Sequence, residues 1–276
     1  MGFFSVNISV TFAAALLPAF ILMRYIYKKD SIEHEPIGLL VKLAIGGIAA
    51  ALVSILLEIF GDGILSDFIS EADSNFEVVS SFIVVAVVEE GTKLFFLKKG
   101  TWKNKNFDYR FDAIVYAAFV SLGFAGFENL LYVFDEGLSI APVRAILSVP
   151  GHLGFSVIMG FFYGGAKLCE NNGNKIGRKR NMRAAYIVPV LLHGFYDACL
   201  SAGNVSSLIL FVIFVIVMYI VIIRLINKES REDVKIENES TDVMSGMDIN
   251  IYKDEKFNIG QETDVNDVSK IDDGIK

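Results

Sequence analysis

Cysteine and histidine are scarce in this chain, which has two cysteines and three histidines in 276 residues. The two cysteines, Cys169 and Cys199, fall at opposite ends of successive predicted helices, too far apart for a disulfide bond. No Cys-x-x-Cys pair and no His-Glu-x-x-His motif occurs. A structural zinc site of the finger type is therefore excluded, and the common zinc-protease helix is missing.

Patterns that bind phosphates or nucleic acids are missing as well. We find no Gly-rich phosphate loop, no repeat of fixed period and no basic patch interleaved with aromatic residues, so nucleic acid is not an expected partner. Lysine and arginine, 25 together, are outnumbered by 32 aspartates and glutamates. The acidic excess is concentrated beyond residue 227, so an average over the whole chain hides two different regions.

Long apolar runs dominate the rest of the sequence. Apolar residues make up 53% of the chain and its mean hydropathy is +0.50, well above an ordinary soluble domain. A window of about twenty apolar residues can cross the hydrocarbon core of a bilayer as a helix. The sequence therefore predicts an all-α fold, a polytopic membrane helix bundle of about seven transmembrane helices. These are placed near residues 6–27, 37–60, 77–98, 111–134, 143–168, 184–201 and 205–226.

Charges in the connecting loops predict how the bundle is oriented. Lysine and arginine cluster after the first, third and fifth spans, whereas the alternate loops are acidic or uncharged. Short cytoplasmic loops carry the positive charge in multi-pass proteins, so the N-terminus is predicted outside and the C-terminus in the cytoplasm. Arg144, on the outer side, breaks this pattern.

The composition changes after residue 227. Residues 228–276 are polar and acidic with few aromatic residues, a composition that does not support a packed core. We therefore divide the chain into a transmembrane domain, residues 1–227, and a disordered cytoplasmic tail, residues 228–276.

The run VVAVVEEGTKLFFL at 84–97 holds three charges, Glu89, Glu90 and Lys93, within a predicted membrane helix. Ionisable groups at such depth cost about 2.5 kcal/mol or more each and usually face a polar cavity or a partner. Lys93 follows Glu89 by one helical turn and can partly neutralise it. Paired carboxylates are a common arrangement for general acid and base chemistry. A buried ion pair that ties two helices together explains the same charges.

Polar residues also occur deep in the next predicted spans. At about 1.5 Å per helical residue, the glutamate pair and two of the histidines fall near the bilayer midplane, and Glu128 lies somewhat nearer the outer face. A carboxylate one turn from a histidine can orient its imidazole. Each residue alone is ambiguous, but the shared depth predicts one buried polar site. Its members on these spans are Glu128 and Asn129, His152 after Pro150, and His193 with Asp197.

Four motifs follow one another in the sequence: EEGTK at 89–93, GFENLLY at 126–132, PGHLGFSVIMGF at 150–161 and LLHGFYD at 191–197. With these motifs and an EHEP segment at 33–36, the chain resembles the PrsW intramembrane proteases, relatives of the CAAX prenyl protease and bacteriocin-processing group. The resemblance covers about residues 8–200. It leaves the last span and the tail unaccounted for.

The resemblance implies a protease domain in the membrane of a bacterial cell. Its substrate would be a single-span membrane protein, an anti-sigma factor, whose first cleavage leads to activation of an extracytoplasmic-function sigma factor. The essential glutamates of the family fall on Glu89 and Glu90 and its essential histidine on His193, and His152 joins them as a candidate catalytic residue. The candidate supporting residues are Glu128, Asp197, Lys93 and Asn129.

Two chemistries could activate the attacking water at such a site. In the metal-free form, Glu89 or Glu90 acts as general base while His193 and His152 polarise the scissile carbonyl. In the alternative form, His152, His193 and Glu89 hold a catalytic zinc ion. Because no His-Glu-x-x-His motif is present, we expect no cofactor and keep zinc as the alternative.

Two other functions remain open on the sequence alone. A proton-coupled membrane transporter also places glutamate, histidine and aspartate near the midplane, although the inverted repeats typical of many carriers are not visible. A non-catalytic membrane scaffold would need the same buried polar network for its stability only.

Overall fold

The computed structural model describes residues 8–236, and the regular elements in this range are helical apart from an isolated bridge between Tyr109 and Lys235. The helices are α1 Ile8–Lys29, α2 Ile37–Ser66, α3 Phe76–Ser80, α4 Ala86–Thr101, α5 Asp112–Glu136, α6 Ala141–Ile146, α7 Ser148–Asn171, α8 Lys175–Ser201 and α9 Val205–Arg231. A π-helical turn, Ser81–Val85, joins α3 to α4, and a 3-10 turn, Leu138–Ile140, precedes α6.

The predicted all-α membrane bundle is confirmed. Six stretches of the described chain are long and apolar enough to cross a membrane, namely α1, α2, α5, Leu138–Asn171, α8 and α9. The other predicted span, 77–98, corresponds to α3, the π turn and α4, which follow one another without a break. Helix α8 begins at Lys175, before the predicted start near 184. The prediction missed its first turns because they are basic, and a hydropathy window detects only the apolar part of a helix.

Helix α5 is the centre of the bundle. Every residue from Asp112 to Gly126 is buried, and α1, α2 and α7 pack around it. Glycines allow this close packing: a Cβ on Gly123 would overlap the carbonyl of Ala44, and a Cβ on Gly47 or Gly160 would overlap the α5 backbone. Small residues at helix crossings let backbones approach in membranes. The side chains of neighbouring helices are thereby brought within hydrogen-bonding reach.

The π turn lies just before the glutamate pair. A π turn inserts one extra residue into a helix and so rotates the residues that follow it, here α4 relative to α3. Helix α8 packs directly against this turn, since a Cβ on Gly194 would overlap the ring of Phe82. The residue before Gly194 is His193, so this contact places that histidine beside the start of α4.

The last described residues fold back onto the loop between α4 and α5. The N–H of Phe111 donates to Asp233 Oδ1 at 2.8 Å, and the N–H of Arg110 donates to the carbonyl of Val234 at 3.0 Å. Ile236, which follows them, is buried. The chain thus stays packed on the bundle past the predicted boundary at 227. Most of the predicted acidic tail, residues 237–276, lies outside the described residues.

Two buried acids in the loop between α1 and α2 predict a pH-dependent stability. Burial raises the pKa of Asp30 to about 6 and that of Glu35 to about 7. Both carboxyls bind a proton more tightly in the folded chain than in the unfolded chain. Their contribution to the stability of the fold is therefore complete below about pH 4 and is lost as the pH rises through 6 to 7. We expect the unfolding temperature in detergent to fall between pH 5 and pH 8.

Substitution of Glu35 by glutamine should flatten this pH dependence, because the amide is neutral at every pH. Glu33→Gln is the matched control, since Glu33 lies in the same loop but is exposed. A slope that is unchanged by Glu35→Gln, or equally reduced by Glu33→Gln, would contradict the assignment.

Candidate active site

Lys93 lies on α4 at the centre of a buried polar network. Its Nζ lies 2.9 Å from Glu89 Oε2 and 2.9 Å from Glu90 Oε1, the reach expected for residues one turn apart on a helix. Lys93 and Glu90 are each 1% exposed and Glu89 is 5% exposed. The ammonium also lies 4.0 Å from the centre of the Phe124 ring on α5, a favourable cation–π distance. One cation therefore neutralises two adjacent carboxylates inside the bundle.

His193 of α8 joins the network through both ring nitrogens. Its Nδ1 lies 2.9 Å from Glu90 Oε1, and its Nε2 lies 3.0 Å from Asp197 Oδ2 and 3.9 Å from Glu89 Oε2. Phe155 stacks on the imidazole at a centroid distance of 4.8 Å. A neutral imidazole has only one N–H to donate, so His193, Glu90 and Asp197 must share one more proton for both contacts to be hydrogen bonds.

His152 of α7 connects Lys93 to Glu128. Its Nδ1 lies 3.1 Å from Lys93 Nζ, and its Nε2 lies 2.9 Å from Glu128 Oε2. An ammonium can only donate, so Nδ1 accepts and the ring proton is assigned to Nε2, from which it is donated to Glu128. The rings of His152 and His193 are 5.2 Å apart and nearly perpendicular. Four helices, α4, α5, α7 and α8, thus contribute to one network.

Arg144 is a member of the network that the sequence did not predict. From α6, its Nη2 donates to Glu128 Oε2 at 3.0 Å and its Nε donates to Asn129 Oδ1 at 2.9 Å. Asn129 in turn donates to the carbonyl of Ala15 at 2.7 Å, so its side chain faces α1. Among residues 8–236, Arg144 is its link to the rest of the network. The signal in the sequence was the isolated basic charge on the acidic side of the predicted bundle.

A cavity of about 550 Å³ opens beside the network. Glu89 and not Glu90 lines it, because Glu90 faces Lys93 and His193 behind the cavity wall. Oε2 of Glu89 is held by Lys93, and Oε1 takes no hydrogen bond from residues 8–236. Glu58 of α2 also lines the cavity and was not predicted from the sequence. The acidic, basic and histidine residues of the lining are Glu58, Glu77, Glu89, Glu128, Arg144, His152, His193 and Asp197.

A metal ion could in principle use the same residues. Glu89, Glu90, His152 and His193 each offer a ligand atom, all within 4.8 Å of one another, and two imidazoles with two carboxylates suit zinc. However, Lys93 Nζ already bonds to three of these four residues. Both nitrogens of each histidine are engaged. Within residues 8–236, the oxygens of this group that make no hydrogen bond are the buried Oε2 of Glu90 and Oε1 of Glu89, at the cavity. In this arrangement the ligand atoms of the four side chains fit the lysine ammonium and do not fit an additional metal ion.

Comparisons with known proteins identify a protease family, and its description includes a metal, unlike the metal-free form expected from the sequence. The family model described as "PrsW family intramembrane metalloprotease" matches residues 35–224. Similar proteins include Protease PrsW of Oceanobacillus iheyensis, 36% identical over 213 residues, or 77% of this chain and 93% of that protein. Protease PrsW of Clostridioides difficile is 34% identical over 213 residues, covering 75% and 86% of the two chains. That of Bacillus subtilis is 34% identical over 194 residues, covering 69% and 82%.

No solved structure matches this chain. The family match nevertheless spans all four helices that contribute to the polar network, and similarity extends over most of the length of each relative. The chain therefore belongs to the PrsW family of intramembrane proteases and is a peptidase.

Proposed function

We propose that this protease makes the first cut in a single-span membrane protein, an anti-sigma factor, and so leads to activation of an extracytoplasmic-function sigma factor. The observation that carries the proposal is the convergence of Glu89 and His193, 3.9 Å apart, on the wall of the cavity. Apolar residues between the polar ones, among them Ile55, Leu131 and Val143, suit a membrane segment as substrate. The resemblance in the motifs supplies the identity of the substrate.

Glu89 is the proposed general base. Its Oε1 has no protein hydrogen bond within residues 8–236, and the carboxylate lines the cavity that would hold the substrate and a water molecule. It would take a proton from the water as the oxygen attacks the scissile carbonyl carbon, and then deliver that proton to the departing amine nitrogen. Lys93, bound to Oε2, keeps this carboxylate in place.

Glu90 has the different role of positioning His193. It is enclosed, and its Oε1 contacts both Lys93 and His193 Nδ1 at 2.9 Å. With Asp197 on the other ring nitrogen, the imidazole is held between two carboxylates. We assign His193 and His152, which both line the cavity, as donors that stabilise the oxyanion of the tetrahedral intermediate. In this role each would share with the oxyanion the N–H of its Nε2, which is directed at Asp197 in His193 and at Glu128 in His152. The site needs no metal ion in this scheme.

The positive loops support a multi-pass protein of the bacterial cell membrane with its N-terminus outside and its C-terminus in the cytoplasm. In that orientation the cavity would be nearer the outer face. Helices α2 and α8, which end near it, would end outside, and α3 would begin there.

The proposal is tested by co-expressing the full chain with candidate anti-sigma factors that have a single span. Wild type is expected to produce a discrete fragment, and His193→Ala at matched abundance is expected to leave the substrate intact. Equal processing by both proteins would overturn the assignment. Substrate flux in liposomes without any cleavage would instead favour a transporter. Absence of cleavage by wild type, together with a lower unfolding temperature of His193→Ala, would favour a scaffold.

A further inference from the structure

The acids that line the catalytic cavity differ in how they are paired. Glu89, Glu128 and Asp197 each lie 2.9 to 3.0 Å from a lysine, arginine or histidine nitrogen. The other two acids, Glu58 and Glu77, have no such partner in the range 8–236. Glu77 is exposed at the start of α3, whereas Oε1 of Glu58 is enclosed and makes no hydrogen bond to any residue in the same range. An ionisable group at membrane depth without a partner is costly, so an unpaired carboxyl in this cavity requires an explanation.

The position of Glu58 on α2 directs it toward the chemistry. The residues of α2 that line the cavity are spaced by three, four and seven positions, which is one face of a helix. Neighbouring Leu56 and Ile59 are exposed on other faces. Glu58 lies eight residues before the last residue of α2, Ser66, or about 12 Å along the axis. The cavity-lining residues of α2 are Ala51, Ser54, Ile55 and Glu58.

We infer that Glu58 is a specificity-determining residue that binds the cationic side chain of a lysine or arginine in the substrate, near the bond to be cleaved. The inference rests on the proposed function, because it concerns the substrate of the same cavity.

The charges around the cavity favour a cation over a neutral donor. Arg144 is the only lysine or arginine among the described cavity-lining residues, and its guanidinium is already engaged by Glu128 and Asn129. Attraction between opposite charges is strongest where water is excluded. The aliphatic stem of a substrate lysine could lie along apolar wall residues such as Leu131 and Val143 while its ammonium reaches Glu58.

The test measures binding without cleavage, with the full chain in lipid nanodiscs and Glu89→Gln present to prevent turnover. The probes are synthetic transmembrane peptides of leucine and alanine that carry one lysine, moved one residue at a time along the peptide. The reference peptides carry norleucine at the same positions, which matches the stem of lysine without its charge. Fluorescence anisotropy gives the dissociation constants.

At one position or a few adjacent positions, the lysine peptide is expected to bind about 10-fold more tightly than its norleucine reference, the scale of a close charge pair away from water. Adding Glu58→Gln should remove this preference, and Glu58→Asp should retain part of it. Glu71→Gln is the matched control, since Glu71 is exposed and lies outside the cavity lining. Charge reversal by Glu58→Lys should shift the preference to peptides that carry glutamate.

Equal affinity for lysine and norleucine peptides at every position would overturn the inference, as would a lysine preference that survives Glu58→Gln. If Glu58→Gln does not fold, absence of a lysine preference in the folded Glu58→Asp protein would overturn it equally. Because the assay needs no cleavage, this inference can fail while anti-sigma factor processing is observed, and it can hold if the proposed substrate is wrong.

Discussion

Replacing Glu89 with glutamine is expected to slow cleavage of a membrane substrate about 10³-fold, within the range lost with a general base. KM should change little, because the base acts in the transition state and not in substrate binding. The variant should unfold near the wild-type temperature, since Lys93 still pairs with Glu90 at 2.9 Å. Single-turnover cleavage and thermal unfolding, measured on the same preparations, check both statements.

Glu90→Gln provides the contrast. Glu90 is 1% exposed and contacts Lys93 and His193 together, so its loss should lower stability as well as activity. Glu136→Gln, at the exposed end of α5, is the control for handling and expression. The assigned roles would be wrong if Glu89→Gln remained active, or if it lost as much stability as Glu90→Gln.

Replacing Lys93 with methionine is expected to have the largest effect on stability. Removal of one partner from a buried ion pair typically costs about 3–5 kcal/mol, because the other charge is left uncompensated. Here two adjacent carboxylates and Nδ1 of His152 lose the same donor. Methionine retains a similar shape, so the loss reports the charge and its hydrogen bonds. Urea or thermal unfolding in detergent measures the difference, and Lys167→Met, a partly buried lysine near the loop end of α7, is the control.

The same substitution tests the relation between the ammonium and a metal ion. Lys93 Nζ is bonded to the carboxylate oxygens and the imidazole nitrogen that zinc would need as ligands. Wild-type protein is therefore expected to hold no stoichiometric zinc and to retain activity in the presence of a chelator. Lys93→Met should gain zinc affinity, because Glu89, Glu90, His152 and His193 are then free to converge on a cation. Elemental analysis and zinc-dependent thermal shift provide the readouts.

Stoichiometric zinc in active wild-type protein, with cleavage lost on its removal and restored on its return, would refute the metal-free proposal. It would also mean that Lys93 lies elsewhere in the working enzyme. Unchanged zinc affinity in Lys93→Met would show that the ammonium does not compete for these donors.

The helices could be predicted because a membrane helix satisfies its own backbone hydrogen bonds. Its approximate position then follows from the length of an apolar run, and the spans predicted near 37–60, 111–134 and 205–226 overlap α2, α5 and α9. Depth could be predicted for the same reason, since the rise per residue is constant. Glu89, Glu90, His152 and His193 were therefore expected in one layer, and they lie together in the structure.

Rotation about each helix axis could not be predicted in this way. Adjacent glutamates differ in depth by only about 1.5 Å, but the π turn and the packing of α8 on Phe82 decide that Glu89 faces the cavity and Glu90 faces His193. The partners of Arg144 depend on how α6 lies over the end of α5. Glu58 could not be identified from the sequence, because its distinguishing feature is that Oε1 forms no hydrogen bond with any of residues 8–236.

The sequence by itself thus determined the helical bundle, the layer in which the polar residues lie and, through its motifs, the family. Each of these depends on properties of one segment at a time. Only the tertiary structure decided that one ammonium, Lys93 Nζ, is shared by Glu89, Glu90 and His152, and which carboxylates remain available to a substrate. Those features depend on contacts among helices that are distant in sequence, and close packing at glycines such as Gly123 and Gly194 sets them.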